Sequence, residues 1–332
     1  MKKQSIISDF LALRGMGQVF TVTVGLLVLF AVFSCINYNF CSERNISNLL
    51  RQLAPILLIG IGQAYVLITG NIDLSIGSVV GMSCMISATL MSHGMDVNAA
   101  LAITLVSCLA VGLLNGLLVA ACKIQPFIAT LGTMTVCRGI AQIVNHNLNT
   151  DAIGPAADWF RNLFYYGSFG IGDFNVYNTV WIAFVIFLVF NFVLSKTRTG
   201  RHMYAIGSNP EAAKLSGVDV AATTIKAYLV AAFCSCVVGL ITCATAGQGT
   251  MDAGNMYEMY AVAAAVIGGV STLGGTGLLS GVIVGAGIWG VLQNGLQFAG
   301  APVAIRNIVI GVIVVISVLL DVIIRTGQKK AS

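Results

Sequence analysis

Residues Ala99 to Ala121 read Ala-Ala-Leu-Ala-Ile-Thr-Leu-Val-Ser-Cys-Leu-Ala-Val-Gly-Leu-Leu-Asn-Gly-Leu-Leu-Val-Ala-Ala and contain no charged side chain. A helix needs about 20 mostly apolar residues to cross the hydrocarbon core of a bilayer, so this stretch predicts a membrane-spanning helix. Similar runs occur along the whole chain. They predict ten spans, at 17–37, 50–70, 74–92, 99–121, 126–145, 176–195, 225–246, 257–272, 278–298 and 303–324.

The composition agrees with a protein that is embedded in lipid. Of the 332 residues, 57% are hydrophobic and 9% are charged, and the mean hydropathy is +0.91. Soluble domains carry about 25% charged residues, because charge keeps their surface in water. We therefore expect an all-α polytopic membrane protein, with residues 1–332 forming a single transmembrane domain.

The net charge of +5 does not indicate nucleic-acid binding, because the basic residues stand at the ends of apolar runs and form no continuous stripe. The cysteines likewise form no Cys-x-x-Cys pair and the three histidines show no ligand spacing, so we predict neither a metal site nor a cofactor. We expect the cysteines in or beside apolar runs to serve in helix packing. They are Cys84, Cys108, Cys122, Cys137, Cys234, Cys236 and Cys243.

Lysine and arginine predict the orientation, because they concentrate on the cytoplasmic side of membrane proteins. Ten spans place both termini on one side, and a cytoplasmic side for them puts 12 of the 17 basic residues inside. The long loop 146–175 is then outside and the long loop 196–224 inside. The inner basic residues are Lys2, Lys3, Arg14, Lys123, Lys196, Arg198, Arg201, Lys214, Lys226, Arg325, Lys329 and Lys330.

The loop 196–224 contains the signals of a short helix. Ser208 and Asn209 are both good N-cap residues, Pro210 suits the first helical position, and Glu211 follows Ser208 at the spacing of a capping box. Gly217 suits a left-handed turn at the end. A helix of about two turns is not stable alone in water. It is therefore either an ordinary connector lying on the membrane domain or a segment that docks on another protein.

Four segments resemble the ribose, xylose and galactose class of ABC permeases. Residues 205–213, Ala-Ile-Gly-Ser-Asn-Pro-Glu-Ala-Ala, resemble the cytoplasmic loop of that family, and residues 69–78, Thr-Gly-Asn-Ile-Asp-Leu-Ser-Ile-Gly-Ser, resemble its signature. Residues 126–134, Pro-Phe-Ile-Ala-Thr-Leu-Gly-Thr-Met, and the glycine-rich residues 264–277 resemble two further elements. The resemblance runs in family order over about residues 45 to 325. Asn71 and Ser208 depart from it, because glycine is frequent at both positions in the family.

The resemblance implies the membrane-spanning subunit of an ABC importer in the bacterial inner membrane, with a monosaccharide such as ribose as cargo. It implies no enzymatic activity on this chain. It implies three partners: a cytoplasmic ATPase with two nucleotide-binding domains, a periplasmic sugar-binding protein and a second copy of the permease. The residues that it assigns to ATPase coupling are Gly207, Ser208, Asn209, Pro210, Glu211, Ala212, Ala213 and Gly217.

Polar residues within or between spans are candidates for the pathway, since polar groups in lipid are costly. The polar cluster between Gly70 and Gly77 fits either a broken helix in a protein-lined cavity or a turn in which Asp73 caps a helix. Arg138 lies within a span and needs a carboxylate, for which Asp73 is a candidate, or backbone carbonyls. Interhelical hydrogen bonding explains several of these residues equally well. The predicted pathway and gate residues are Asn71, Asp73, Ser75, Asn115, Phe127, Thr130, Thr133 and Arg138.

The alternative function is an ion-coupled secondary transporter of a small polar solute. Such a protein needs titratable groups near the membrane midplane, and Asp73, Glu258 and Asp321 are the candidates. The glycines of residues 268–277 are not followed by Lys-Ser or Lys-Thr, so they do not indicate a nucleotide site. They favour close helix packing or a flexible inner gate.

Overall fold

The protein is described by a computed structural model over residues 16–171, 174–309, 311–313, 315–316 and 318–319. The helices are α1 (Met16–Ile36), α2 (Glu43–Ile68), α3 (Ile76–Ser92), α4 (Val97–Ala120), α5 (Pro126–Ile143), α6 (Asp158–Arg161), α7 (Asn178–Lys196), α8 (Arg198–Ser208), α9 (Pro210–Leu215), α10 (Val220–Ala246), α11 (Tyr257–Ile267), α12 (Leu279–Phe298) and α13 (Val303–Ile313). Strands β1 (Ser168–Ile171) and β2 (Phe174–Tyr177) form an antiparallel hairpin.

Among the described residues, six helices are long and apolar enough to cross a membrane: α1 from Val19, α2, α4, α7, α10 and α12. The apolar helices α3, α11 and α13 are shorter. Each of the ten predicted spans overlaps a helix. The eighth was predicted to reach residue 272, but its helix ends at Ile267. The tenth extends beyond the described residues. The chain is therefore a mostly helical polytopic membrane protein.

Helix α10 lies at the centre of the bundle, between α2, α3 and α4. Asp219 caps its start by accepting a hydrogen bond from the Ala222 amide, and Gly247 ends it with φ +68°. Glycines let the neighbouring helices approach its backbone closely. A methyl group on Gly116 of α4 would lie 2.8 Å from the Ile225 Cα, and one on Gly62 of α2 would lie 2.9 Å from the Ala231 Cα. Close backbone contact through small residues is a common way for membrane helices to associate.

The bundle has two ends, which we name by what they carry. The α9 end holds α8, α9, the C-terminus of α2 and the start of α10. The hairpin end holds the β hairpin, the C-terminus of α10 and the C-terminus of α12, where the Asn37 side-chain amide donates to the Phe298 carbonyl at 3.3 Å.

Residues 155–171 and 174–177 cover the hairpin end. They include the two strands, so the expectation of an all-α fold is incomplete. Arg51 of α2 fastens this cap, since its guanidinium lies 4.4 Å from the ring centre of Tyr165 and 4.3 Å from that of Tyr177. The Asn175 amide also donates to the Ser47 hydroxyl at 3.0 Å. A cation held between two aromatic faces is a specific attachment.

The cysteines agree with the packing prediction at six of the seven positions. Cys84, Cys108, Cys137, Cys234, Cys236 and Cys243 are free thiols and buried. Cys122 is free but exposed, because it lies in the turn between α4 and α5.

Candidate functional site

The connection between α2 and α3, residues 69–75, is not helical. Asp73 is buried here with 3% of its surface exposed. Its Oδ1 atom accepts two hydrogen bonds from Ser75, one from the backbone amide at 2.8 Å and one from the hydroxyl at 2.6 Å. Ser75, not Asp73, is the residue that precedes the first turn of α3. Asp73 therefore shapes the turn that leads into the helix and does not itself cap it.

A buried chain of side-chain hydrogen bonds continues from this turn. The Asn115 side-chain amide of α4 donates to the Ser75 hydroxyl at 2.9 Å. The Thr133 hydroxyl of α5 donates to Asn115 Oδ1 at 2.7 Å. The structure thus joins four predicted pathway residues, Asp73, Ser75, Asn115 and Thr133, into one polar chain that ties α4 and α5 to the 69–75 connection.

Asp73 is the acidic end of this chain and lies in the connection, outside both neighbouring helices. Burial raises the pKa of its carboxyl to about 6, while the hydrogen bonds from the Ser75 hydroxyl and amide lower it. Burial dominates because removing a carboxylate from water disfavours its charged form.

Three other predicted pathway residues lie apart from the chain. The Thr130 hydroxyl is buried and donates to the Pro126 carbonyl of its own helix at 2.8 Å. The Asn71 amide is partly buried and donates to the Thr69 hydroxyl at 2.9 Å. Phe127 is 51% exposed on α5. Their place in a pathway stays a prediction.

Arg138, the eighth predicted residue, is bound to backbone carbonyls. Its Nη1 atom donates to the Ala253 oxygen at 2.8 Å and to the Met251 oxygen at 3.3 Å. The sequence predicted either a carboxylate or backbone carbonyls as its partner, and Arg138 binds carbonyls. Asp73, the candidate carboxylate, is not the partner of Arg138 among the described residues, and its Oδ1 atom accepts from Ser75.

Residues 247–256, to which Arg138 binds, form a non-helical segment between α10 and α11, and we call them the unwound segment. Positive φ angles at Gly247, Gly254 and Met256 mark it. It lies against the start of α3: a methyl group on Gly81 would lie 2.7 Å from the Ala253 oxygen, and one on Gly77 would overlap the Glu258 carboxylate. The half-buried Glu258 thus stands beside α3, next to Arg138, in a position that its sequence context did not reveal.

At the α9 end, the predicted short helix is present. The Asn209 side chain accepts from the Ala212 amide at 3.1 Å, and Pro210 occupies the first helical position. The capping box predicted from Ser208 is wrong, because Ser208 is the last residue of α8 and its hydroxyl donates to the Tyr204 carbonyl at 2.9 Å. Gly217 follows the helix with φ +82°, as predicted.

Helix α9 presents most of its surface to solvent. Among the residues predicted for coupling, Ala213 is buried against the bundle, while Pro210, Glu211 and Ala212 are exposed. Leu215 is 90% exposed and was missed by the sequence reasoning. The feature that could have identified Leu215 from the sequence is an apolar residue in the last turn of a short polar helix.

A junction of four glycines fastens α8 and α9 to the rest of the α9 end. The Gly275 amide donates to the Ile68 carbonyl at the end of α2, at 2.9 Å. A methyl group on Gly207 would overlap both the Ile68 oxygen and the Gly275 nitrogen, and one on Gly274 would lie 2.8 Å from the Gly70 Cα. We call Gly70, Gly207, Gly274 and Gly275 the glycine junction. Only residues without a side chain permit three backbones to meet so closely.

The junction brings α8, which leads directly into the short helix α9, into backbone contact with the end of α2, from which the 69–75 connection and the polar chain begin. The Tyr204 hydroxyl of α8 adds a hydrogen bond of 2.7 Å to the Gly277 carbonyl. Of the glycines predicted to serve close packing, Gly274 and Gly275 do so between segments, and Gly268 does so against α12, where its added methyl group would lie 2.5 Å from the Gly281 oxygen.

Comparison with known proteins gives related sequences over almost the whole chain. The ribose import permease protein RbsC of Escherichia coli (strain K12) is 35% identical over 302 residues, covering 90% of this chain and 92% of the relative. The galactose/methyl galactoside import permease protein MglC of Haemophilus influenzae is 36% identical over 323 residues, covering 92% and 94%. The ribose import permease protein RbsC of Bacillus subtilis (strain 168) is 36% identical over 298 residues, covering 90% and 91%.

No solved structure matches the chain. The family match extends from the first turn of α2 into the last predicted span and includes the polar chain, the unwound segment and the glycine junction. Residues 45–318 match the family described as branched-chain amino acid transport system / permease component, and the chain, a multi-pass protein of the inner membrane, belongs to this permease family.

Proposed function

We propose that this chain is the membrane-spanning subunit of an ABC importer and passes a monosaccharide, of the ribose or galactose kind, across the inner membrane. The sugar is suggested by the relatives, which are named as ribose and galactose/methyl galactoside import permeases. The single observation that carries the proposal is the glycine junction. It attaches an exposed helix, suited to an external partner, to the polar chain in the bundle.

We propose ten membrane crossings, with both termini and the α9 end in the cytoplasm. Six basic residues lie at or beside the α9 end: Lys123, Lys196, Arg198, Arg201, Lys214 and Lys226. The hairpin end has fewer basic residues, and the guanidinium groups of two of them contact aromatic rings. Arg51 lies between two tyrosines, and the Arg161 guanidinium lies 4.9 Å from the Tyr166 ring centre while its Nε donates to the Ala244 carbonyl. An asymmetry of free basic residues supports this orientation.

The partner at the α9 end is a cytoplasmic ATPase with two nucleotide-binding domains, which hydrolyses ATP while this chain does no chemistry. Helix α9 supplies the docking surface. Ala213 anchors it to the bundle, and the exposed Glu211 and Leu215 face the partner. An exposed leucine seated in a cleft of the partner would remove its apolar surface from water.

Movement of α9 reaches the pathway through the glycine junction. Because Gly207 touches Ile68 and Gly275 directly, a displacement of α8 and α9 displaces the end of α2 and the 69–75 connection. The polar chain then carries the shift to Asn115 and Thr133. The ATPase biases two arrangements of the bundle and so determines which side is open.

The remaining partners are a periplasmic sugar-binding protein and a second copy of this chain. The binding protein docks at the hairpin end, where Trp159, Tyr166 and Phe169 are 45%, 48% and 72% exposed. The sugar then enters a passage between the two copies. Selection of the sugar rests mainly on the binding protein.

The experiment is reconstitution of the permease with its ATPase and binding protein in proteoliposomes, followed by measurement of ATP hydrolysis and uptake of ribose and galactose. Glu211→Lys and Leu215→Asp should abolish uptake and its stimulation of ATP hydrolysis, with membrane insertion unchanged. Ser216→Ala is the matched control, because the exposed Ser216 hydroxyl bonds only the Ala212 carbonyl of its own helix. Normal uptake by both charged variants would contradict the docking role of α9.

A second candidate, an ion-coupled secondary transporter of a small polar solute, is favoured by one observation, the carboxylates of Asp73 and Glu258 inside the bundle. The two functions differ in their energy source. Uptake that survives proton and sodium ionophores but stops on ATP depletion excludes the ion-coupled transporter. The opposite result excludes the ABC importer.

A further inference from the structure

The unwound segment runs inside the bundle. Helix α11 has 11 residues, about 16 Å at about 1.5 Å per residue, whereas the hydrocarbon core is about 30 Å thick. The rest of this crossing is made by residues 247–256 without helical structure. They lie beside residues Gly77 to Gly81 of α3 and beside Arg138, the thirteenth residue of α5. Helix α11 therefore begins in the interior.

Backbone without helical hydrogen bonds is tolerated at membrane depth only where protein or a water-filled cavity surrounds it. Arg138 supplies part of that surrounding, because its guanidinium binds the Met251 and Ala253 carbonyls. Broken helices of this kind commonly form the solute sites of membrane transporters. The place where α11 begins is thus suited to contact with a solute.

Glu258, in the first turn of α11, carries a carboxylate at this place. Room for it comes from Gly77, where any side chain would overlap the carboxylate, and Gly254 packs on the same turn of α3. The carboxylate accepts a hydrogen bond from the Glu258 backbone amide. Arg138 lies near enough to stabilise its charge. A carboxylate can accept several hydrogen bonds, and a charged group inside a membrane protein commonly lies on the path of a solute or ion.

Aromatic rings continue from the same turn. The Tyr257 and Tyr260 ring centres are 5.7 Å apart, and the Trp289 ring centre of α12 is 4.6 Å from that of Tyr260. All three side chains are partly exposed. The buried Trp289 Nε1 atom has no hydrogen-bond acceptor among the described residues. Tyr257, Tyr260 and Trp289 form an aromatic row that offers apolar ring faces and one indole N–H without an acceptor among the described residues.

We propose that Glu258, Arg138 and this aromatic row form a transient contact site for a neutral polyhydroxylated solute. That solute is the monosaccharide carried by the proposed importer. The carboxylate accepts hydrogen bonds from sugar hydroxyls, and the tyrosine rings cover the C–H face of the sugar. Arg138 is a positioning residue that holds the unwound segment and stabilises the carboxylate. A neutral ligand fits because it satisfies the carboxylate without a second charge. This site rests on the proposed function and adds the place of contact to it.

The test is a protection experiment on the purified permease in detergent. Met259, next to Glu258 and 39% exposed, is replaced by cysteine in a variant whose exposed Cys35, Cys41 and Cys122 are serines. A water-soluble maleimide then labels the new thiol, with ribose or galactose added, or with an equal concentration of glycine betaine. We expect the sugar to slow labelling at least threefold and glycine betaine to leave it unchanged.

Two further variants identify the residue responsible. Glu258→Gln should remove the protection, whereas Asp252→Asn, which changes an exposed acid on the unwound segment, should keep it. The proposed site is overturned if the sugar protects the new thiol equally in the Glu258→Gln variant, or if it gives no protection in the Met259→Cys protein that retains Glu258.

Uptake by the reconstituted parent complex separates this result from the function itself. Sugar uptake without protection overturns the site and leaves the importer function standing. If neither ribose nor galactose is taken up, the proposed function is wrong and the site falls with it.

Discussion

The backbone amide of Gly275 donates a hydrogen bond of 2.9 Å to the carbonyl oxygen of Ile68. The bond joins the glycine-rich residues after α11 to the last residue of α2, and Gly207 packs on both partners. Three segments distant in sequence therefore share one backbone contact at the α9 end.

Gly207→Ala should separate these three segments. The added methyl group would overlap the Ile68 oxygen and the Gly275 nitrogen, so backbone has to move. Overpacking of this kind costs about 1–3 kcal/mol. We expect a lower thermal unfolding midpoint in detergent and ATP hydrolysis that no longer follows sugar uptake. Gly25→Ala on α1 is the control, because nothing lies within 4 Å of its added methyl group. Coupled uptake at the parental rate by Gly207→Ala would contradict the role of the junction.

Thr133→Val should break the polar chain while preserving the shape of the side chain. Asn115 Oδ1 would lose its donor in a buried position, and an unpaired buried acceptor costs about 1–3 kcal/mol. Thermal unfolding in detergent measures the loss. Thr135→Val, two residues further on the exposed face, should be nearly neutral, since its hydroxyl bonds the Leu131 carbonyl of its own helix. Equal midpoints for the two variants would show that the chain does not stabilise the fold.

Asp73→Asn should change how stability depends on pH. The folded-state pKa of Asp73 is raised to about 6 from an ordinary value of 3.8. The folded protein therefore holds a proton that the unfolded chain releases between these values, and stability is lost as pH rises through this window. Unfolding midpoints from pH 4 to 7.5 should show the parent losing stability relative to the asparagine variant up to about pH 6 and running parallel above it. Parallel curves over the whole range would refute an ionisable, buried Asp73.

Arg51→Gln should loosen the cap at the hairpin end. Contact between the guanidinium and two tyrosine rings contributes about 0.5–1 kcal/mol per ring at partly exposed sites. We expect faster amide hydrogen exchange in residues 162–177 and little change in α10. Arg44→Gln provides the comparison, because Arg44 is exposed seven residues earlier on the same helix. Unchanged exchange in the Arg51 variant would mean that the ring contacts do not hold the cap.

Local signals predicted the elements of the fold well. Each apolar run corresponds to a helix, because burial in lipid requires length and apolarity that are visible in the sequence. The short helix after α8 was predicted from Asn209, Pro210 and Gly217, whose backbone preferences act within a few residues. The sequence did not decide the cap, since Ser208 and Asn209 are equally good cap residues. In the structure α8 extends through Ser208, so Asn209 is the residue that caps α9.

The site could be predicted only in part, because its contacts are between distant residues. Asn115 and Thr133 were recognisable as polar residues in apolar helices, but their bonds to each other and to Ser75 depend on how α3, α4 and α5 pack. Glu258 was named from the sequence only as a titratable candidate for an ion-coupled transporter, without a place in the bundle. Its position follows from the unwound segment, which in sequence resembles an ordinary glycine-containing loop.

The binding of Arg138 to the Met251 and Ala253 carbonyls has a mechanical consequence. If α5 slid past residues 247–256, both hydrogen bonds would break and leave the Arg138 guanidinium and the two carbonyls without these partners. In the proposed transport cycle, helix α5 and this stretch of chain therefore move as one rigid block when access switches from one side to the other. The seams that open and close must lie where that block meets its neighbours, and none can run through it.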